Sequence, residues 1–291
     1  MTQKIAIAVI HGIAQANPEF ADKQSPNYVS GIAVRLQREI VRALPGVADP
    51  DLQLIIEPVY WSPVVQNPQD ELFKRLQIRQ RLSRFFGLRD FIFHSLADSI
   101  AYQPIQPASA AEEQIYEDIH TRFAETLRRL ADQAGERAPL CVIAHSLGSA
   151  IASNFLWDLQ QGRRPATARD NPLERGDTFT LFYTLGSQIP FWSLRFRNFG
   201  TPIQVPSPQL PQIYPNLQGQ WLNFYDRNDL LGYPIEGINE EYRQVVKDIE
   251  VNVGNLLTRW NTLSHNEYWR SSAVTQPIAQ GLANVWRQVN G

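Results

Sequence analysis

A single serine stands where a short apolar run ends and a helical pattern begins, with a small residue two positions away on each side. The serine is Ser146, the run is residues 140–143, and the small residues are Ala144 and Gly148. This pattern predicts a nucleophile elbow, a tight strand-to-helix turn that presents a serine hydroxyl for attack on an acyl carbon. Bulky flanking side chains would collide with neighbouring backbone, and the serine itself is expected to be strained. Glycine usually stands where this chain has Ala144, and His145 completes the turn.

A serine hydroxyl attacks efficiently only when a general base takes its proton and an acid orients that base. The histidines of the chain are His11, His94, His120, His145 and His265. If the serine, the acid and the histidine follow one another in that order along the chain, only His265 lies late enough to be the base. It stands between the last predicted strand and the last predicted helix, where a loop can bring an imidazole over the carboxyl edge of a sheet.

Two aspartates compete for the role of orienting acid. Asp226 comes directly after the predicted strand 221–225, beside Arg227, and Asp229 lies about one turn further on. Two leucines follow Asp229 and are expected to bury it, and a buried carboxylate orients an imidazole better than a solvated one. Asp229 is therefore favoured, with Asp226 as the alternative.

The oxyanion of an acyl-transfer intermediate needs N–H donors, and loss of one such donor costs about 3 kcal/mol in the barrier. The N–H of Leu147 is one predicted donor, because Leu147 follows the serine at a helix N-terminus. The other is expected from a turn after an earlier strand. His11 and Gly12 form such a turn after the first apolar run, which makes the N–H of Ile13 the predicted second donor.

Predicted strands and helices alternate along the chain and bring these residues to one edge of a sheet. Apolar runs predict strands at 5–10, 52–61, 140–144, 179–185, 221–225 and 249–253. Apolar residues at helical spacing predict helices at 32–44, 115–130, 147–159 and 273–289. This alternation predicts an α/β fold in which a mostly parallel sheet of about six strands carries helices on both faces.

The length of 291 residues is consistent with one domain, 1–291, that contains insertions. Two stretches interrupt the alternation of strands and helices. Residues 66–110 are predicted to form a helical insertion, and residues 188–219, rich in proline and aromatics, a long ordered loop. Because long loops inside a compact domain are usually functional, both are candidates for a cap over the site.

Composition and charge exclude several classes of function. Lys and Arg together number 27 and Asp and Glu 29, a net charge of −2 that does not indicate a nucleic-acid partner. The one cysteine, Cys141, permits neither an internal disulfide nor a cysteine-based metal cluster. The first residues lack a signal-peptide pattern and no stretch is long enough to span a bilayer, so a cytoplasmic protein is expected.

Several segments match α/β-hydrolases in chain order: 9–12, 142–148, 184–187, 225–229 and 264–269. On these segments the chain resembles the α/β-hydrolase superfamily, in its lipase and esterase branch. The resemblance covers the scaffold but neither insertion. It implies an α/β-hydrolase fold with inserted cap segments and a six-stranded sheet that lacks the usual N-terminal antiparallel hairpin. It also implies catalysis by Ser146, His265 and Asp229 without a metal or organic cofactor.

The function that the resemblance implies is hydrolysis of a carboxylic ester through an acyl-enzyme. The same triad also serves thioesterases, amidases and acyltransferases, and a non-catalytic scaffold used for binding is a further alternative. The aromatic loop favours an apolar acyl ester or a lipid as substrate. Residues 72–93 interleave apolar and basic side chains, so they are expected either to touch an anionic membrane surface or to pack on the scaffold with a solvated basic face.

Overall fold

One parallel sheet forms the centre of the molecule. The computed structural model describes residues 2–12, 17–66, 75, 102, 110–253 and 264–291. The strands are β1 (Ile5–Ile10), β2 (Leu54–Val59), β3 (Leu140–His145), β4 (Phe179–Leu185), β5 (Gln220–Tyr225) and β6 (Val246–Glu250). They pair in parallel in the order β2-β1-β3-β4-β5-β6. The predicted mostly parallel sheet of six strands is therefore confirmed.

Helices cover both faces of this sheet. They include α1 (Ile32–Ala43), α2 (Ala110–Ala134), α3 (Leu147–Gln160), α4 (Ile189–Ser193), α5 (Glu240–Val245) and α6 (Ser272–Asn290). Side chains of a strand alternate between faces, so Ile7 of β1 enters one core with α1 and α6, while Ala8 enters the other with α2 and α3. None of the described helices has both the length and the apolar character needed to cross a bilayer.

The direction in which the chain winds reverses between β1 and β3. The chain first adds β2 beside β1 and then returns to place β3 on the opposite side of β1. The helices that follow β1 and β3, α1 and α3, pack on opposite faces of the sheet. Such a switch point leaves a crevice at the carboxyl ends of the two strands, where ligands bind in open α/β sheets. The turns at residues 11–12 and at Ser146 lie at this edge.

The last strand and the insertions differ in detail from the sequence prediction. β6 covers Val246–Glu250 rather than 249–253, because it is an edge strand whose outer side chains are solvated and need not form an apolar run. Residues 188–219 contain α4 and short 3-10 turns at 197–199 and 210–212. The predicted helical insertion 66–110 and the basic stretch 72–93 lie outside the described residues, apart from a few positions.

A buried carboxylate links β2 to the neighbouring elements by hydrogen bonds. Glu57 is 2% exposed and accepts hydrogen bonds from Lys23, from Arg129 Nε at 3.1 Å and from Gln133 at 2.8 Å. Burial alone would raise the pKa of Glu57, but these cationic and amide donors hold it below the ordinary value. Glu57 therefore contributes stability at pH values above the carboxyl's ordinary pKa, and the contribution is lost as the pH falls through the lowered value.

We expect Glu57→Gln to lower the free energy of unfolding at pH 7 by about 1–3 kcal/mol, because two basic side chains lose a charged acceptor. The difference from the wild type should shrink in acid, where Glu57 itself becomes protonated. Denaturant unfolding at pH 7 and at successively lower pH measures both effects. The exposed Asp170, which pairs with Arg164 and Arg175, is the control, and Asp170→Asn should change stability less. Equal losses in the two variants would contradict the assignment.

Candidate active site

Ser146 occupies the strained turn that the sequence predicts. Its φ is 56° and its ψ −130°, a combination that costs about 1–3 kcal/mol for a residue with a side chain. Its N–H donates to the carbonyl of Leu185 in β4 at 3.0 Å, and its carbonyl accepts from the hydroxyl of Ser149 at 2.6 Å. Ala144, two positions earlier, is fully buried in the core beside α3. The strain persists because β4 and the first turn of α3 hold the backbone on both sides.

The turn after β1 packs directly against this elbow. A Cβ atom on Gly12 would lie 2.3 Å from Cβ of Ser146, and one on Gly148 would lie 2.4 Å from the carbonyl oxygen of His11. Neither distance is possible without movement of the backbone, so both positions require glycine. The small residue predicted at position 148 is therefore required for the expected reason, because a side chain there would collide with neighbouring backbone. Gly12 is constrained in the same way.

Asp229 and His265 are brought together at the carboxyl edge of the sheet. Nδ1 of His265 lies 2.8 Å from Oδ2 of Asp229, and both residues are buried. Oδ2 also accepts from the Tyr268 hydroxyl at 2.9 Å, and Oδ1 from the N–H of Leu231 at 2.9 Å. Burial would raise the pKa of Asp229, but the hydrogen bonds from His265, Leu231 and Tyr268 hold it below the ordinary value. The carboxylate is therefore ionised at neutral pH and fixes the Nδ1–H tautomer of the imidazole.

The alternative acid, Asp226, hydrogen-bonds backbone N–H groups of the surrounding loop and not the imidazole of His265. Its carboxylate accepts from the N–H of Asn228 at 2.8 Å and from the N–H of Val253 at 2.7 Å. The expected cause of burial at Asp229 was wrong, because Leu230 is 67% exposed. Asp229 instead hydrogen-bonds the side chains of His265, as predicted, and of Tyr268, which sequence reasoning did not place beside it.

His265 and Ser146 are not hydrogen-bonded to each other in this structure. Nε2 of His265 is buried and has no hydrogen-bond partner in the described part of the chain. The Oγ atom of Ser146 instead accepts from the side-chain amide of Gln188 at 3.2 Å. Catalytic hydrogen bonds are often long before substrate binds, and neither the hydroxyl proton of Ser146 nor the Nε2 lone pair of His265 is engaged elsewhere in the described part of the chain.

Gln188 is a site residue that sequence reasoning missed. A buried pair of serines fixes it: Ser187 and Ser149 share a hydrogen bond of 2.8 Å, and Ser149 Oγ also accepts from the N–H of Gln188 at 3.2 Å. The segment 184–187, on which part of the family resemblance rests, ends one residue before Gln188. The usable signal is that β4 neighbours β3 in a parallel sheet, so residues just after β4 reach the same edge as the elbow.

The two histidines at the turns are neutral and structural. Nδ1 of His11 donates to the carbonyl of Gly12 at 2.7 Å, its Nε2 accepts from Ser62 at 3.2 Å, and burial lowers its pKa to about 4. Nε2 of His145 donates to the carbonyl of His265 at 2.6 Å. Burial, followed by the nearby His265 imidazole, lowers the pKa of His145 to about 3. The hydrogen bond from His145 therefore holds the backbone of His265, the predicted base, against the elbow.

Of the two predicted oxyanion donors, one is described. Leu147 is the first residue of α3, where backbone N–H groups have no acceptor within the helix. Its N–H therefore remains available beside Ser146, at the end of the helix where the dipole favours negative charge. Ile13 lies outside the described residues, so its part in an oxyanion hole remains a prediction.

Comparison with known proteins finds similarity at the level of structure. No model of a protein family matches the chain, and a search of curated proteins finds no match. A solved dienelactone hydrolase from Anabaena variabilis is 11% identical, with 99% of this chain and 88% of its own covered and a TM-score of 0.39. The solved esterase domain of a Rhodothermus marinus protein is 12% identical, with 95% and 86% covered and a TM-score of 0.34.

The chain's own topology establishes its fold. Six parallel strands carry helices on both faces, and a strained serine stands at the turn from β3 to α3. In chain order the serine is followed by an aspartate and then by a histidine that share a hydrogen bond. These are the features of the α/β-hydrolase fold, as the resemblance in sequence implies.

We expect Gly12→Ala to lower the free energy of unfolding by about 1–3 kcal/mol, because the added methyl group must displace either the β1 turn or the elbow. Chemical denaturation measures the loss. Gly237 is the matched control, since a Cβ atom there meets nothing within 4 Å, and Gly237→Ala should leave the midpoint almost unchanged. Wild-type stability in Gly12→Ala would show that the two turns are not held together.

Proposed function

We propose that this protein is a serine hydrolase that cleaves a carboxylic ester through an acyl-enzyme. One observation carries the proposal: Nδ1 of the buried His265 hydrogen-bonds Asp229 at 2.8 Å, and within the described residues Nε2 has no partner at the sheet edge that also holds the strained Ser146. Burial of an imidazole nitrogen without a partner is unfavourable for folding. A role for that nitrogen as the proton acceptor of the reaction would account for this unfavourable burial.

In the first half-reaction, Ser146 Oγ attacks the acyl carbon while its proton passes to Nε2 of His265. Asp229 holds Nδ1–H in place and stabilises the imidazolium that forms. The N–H of Leu147 donates to the oxyanion, and the N–H of Ile13 is proposed as the second donor. His265 then gives its proton to the alcohol oxygen, the ester bond breaks, and the acyl group remains on Ser146.

In the second half-reaction, water attacks the acyl-enzyme in place of the alcohol. His265 takes a proton from the water and returns one to Ser146 Oγ as the carboxylic acid leaves. The sum is one ester and one water converted to one acid and one alcohol. Gln188 donates to Ser146 Oγ and so stabilises that oxygen as it loses its proton and again when it becomes the leaving group.

Covalent labelling with a fluorophosphonate tests the activated serine. The wild type should be labelled once per chain, and a folded Ser146→Ala variant should not be labelled at all. Ser272, an exposed serine at the start of α6, is the control, and Ser272→Ala should label like the wild type. Circular dichroism establishes that each variant is folded. Labelling that survives in Ser146→Ala, or a wild type that does not react, would contradict the proposal.

Replacement of Gln188 tests the contribution of its amide. We expect Gln188→Ala to lower kcat for a simple ester by about tenfold or more, with a smaller change in KM, because a donor to the reacting oxygen is lost. Gln188→Glu keeps the size of the side chain but replaces the N–H donor with a carboxylate, so it should not restore kcat. Steady-state kinetics on a nitrophenyl ester measures both. Full activity in Gln188→Glu would rule out a role for amide donation.

A further inference from the structure

A cavity of about 320 Å³ opens beside the elbow, between α3 and the segment that follows β4. Ala150 and Ile189, both buried, are among the residues that line it. Ala150 lies one helical turn beyond Ser146 on α3, and residues four apart share a helix face. Ile189 directly follows Gln188, whose amide contacts Ser146 Oγ. The cavity therefore begins about one helical turn from the nucleophile.

Aromatic side chains form much of the cavity wall. Trp192, Phe196 and Phe199 line it, and the two phenylalanines remain 54% and 46% exposed. Large exposed aromatics beside a reactive centre are typical of a surface that a ligand covers. At about 30 Å³ for each water-sized group, the space holds on the order of ten non-hydrogen atoms.

A cation, Arg195, lines this largely apolar cavity. The guanidinium of Arg195 lies 4.6 Å from the centre of the Trp192 ring and 5.4 Å from that of Phe196, and Nε donates to the carbonyl of Trp192. Within the described ranges, no carboxylate forms an ion pair with Arg195. Burial lowers the pKa of Arg195, and the neighbouring phenols of Tyr102 and Tyr116 are neutral at pH 7 because burial raises their pKa.

Several arginines elsewhere in the described residues form ion pairs. Arg129 contacts Glu57, Arg169 contacts Glu174, and Arg175 contacts Asp177. Asn154 also lines the cavity and offers a side-chain amide to it. A guanidinium and a side-chain amide thus border a space that is otherwise largely apolar.

We propose that the cavity binds the part of an ester substrate that carries a carboxylate, with an apolar body against the aromatic wall and the carboxylate on Arg195. The substrate class is then the half-ester of a dicarboxylic acid rather than a neutral ester or lipid. The rate measurements that test this specificity rest on the proposed ester hydrolysis. The anion site itself is a property of the folded protein and can be tested without catalysis.

Paired substrates test the specificity. Monomethyl adipate carries one carboxylate and dimethyl adipate none, and a pH-stat follows hydrolysis of both. The ratio of their kcat/KM values should favour the monoester in the wild type and fall about tenfold or more in Arg195→Met, as the loss of a charged hydrogen-bond partner predicts. Methionine retains an unbranched apolar side chain that packs against Trp192. Arg195→Lys should keep most of the preference.

Arg197 provides the matched control, because it is an exposed arginine of the same loop that does not line the cavity. The preference should be unchanged in Arg197→Met. A wild type that prefers the diester, or an equal loss of preference in the Arg195→Met and Arg197→Met variants, would overturn the proposal.

A binding measurement distinguishes failure of the proposed anion site from failure of the proposed hydrolase function. Isothermal titration of monomethyl adipate into Ser146→Ala, which cannot turn it over, should show saturable binding that weakens with added salt. The double variant Ser146→Ala, Arg195→Met should bind much more weakly. If the wild type hydrolyses no ester but this binding holds, the hydrolase proposal fails and the anion site stands. If Ser146→Ala binds monomethyl adipate no better than the double variant does, the anion site is wrong whatever the enzyme hydrolyses.

Discussion

The close approach of two turns at the carboxyl ends of β1 and β3 is the constraint on which the rest of this structure depends. At a switch point the neighbouring strands send their helices to opposite faces, so their ends lie side by side without a helix between them. Here the ends are in van der Waals contact: Gly12 meets Ser146, and Gly148 meets the carbonyl of His11. That contact, with the hydrogen bond from Ser146 to Leu185, holds the serine at φ 56°. A strained residue persists only where its surroundings over-determine it.

Buried polar groups around this contact form a chain in which each holds the next. Tyr268 and Leu231 orient Asp229, Asp229 orients His265, and His145 holds the backbone of His265 against the elbow. Inside a protein such hydrogen bonds are stronger than in water, and an unpaired member is correspondingly unfavourable. The groups left unpaired are therefore informative. Nε2 of His265, which has no partner within the described residues, faces the proposed reaction, and Arg195, which forms no ion pair there, borders the cavity where we place the substrate's carboxylate.

Much of this arrangement could be predicted from sequence, because strand ends, small residues and residue order are local signals. The elbow, the strands of the parallel sheet and the pairing of His265 with an aspartate follow from such signals. What escaped prediction depends on which strands become neighbours. Gln188 reaches Ser146 only because β4 lies next to β3, and Asp229 is buried by Tyr268 rather than by the leucine that follows it. β6 was misplaced because an edge strand need not be apolar on both faces.

We propose that Ser146 carries the acyl group during turnover. Rapid quenching of the wild-type protein with 4-nitrophenyl acetate, followed by mass spectrometry of the intact chain and its peptides, tests this claim most directly. We expect a burst of about one nitrophenolate per chain, as acyl-enzyme accumulation requires, and one acetyl group on the peptide that contains Ser146. Hydrolysis without an adduct, or an acetyl group on a different residue, would contradict it.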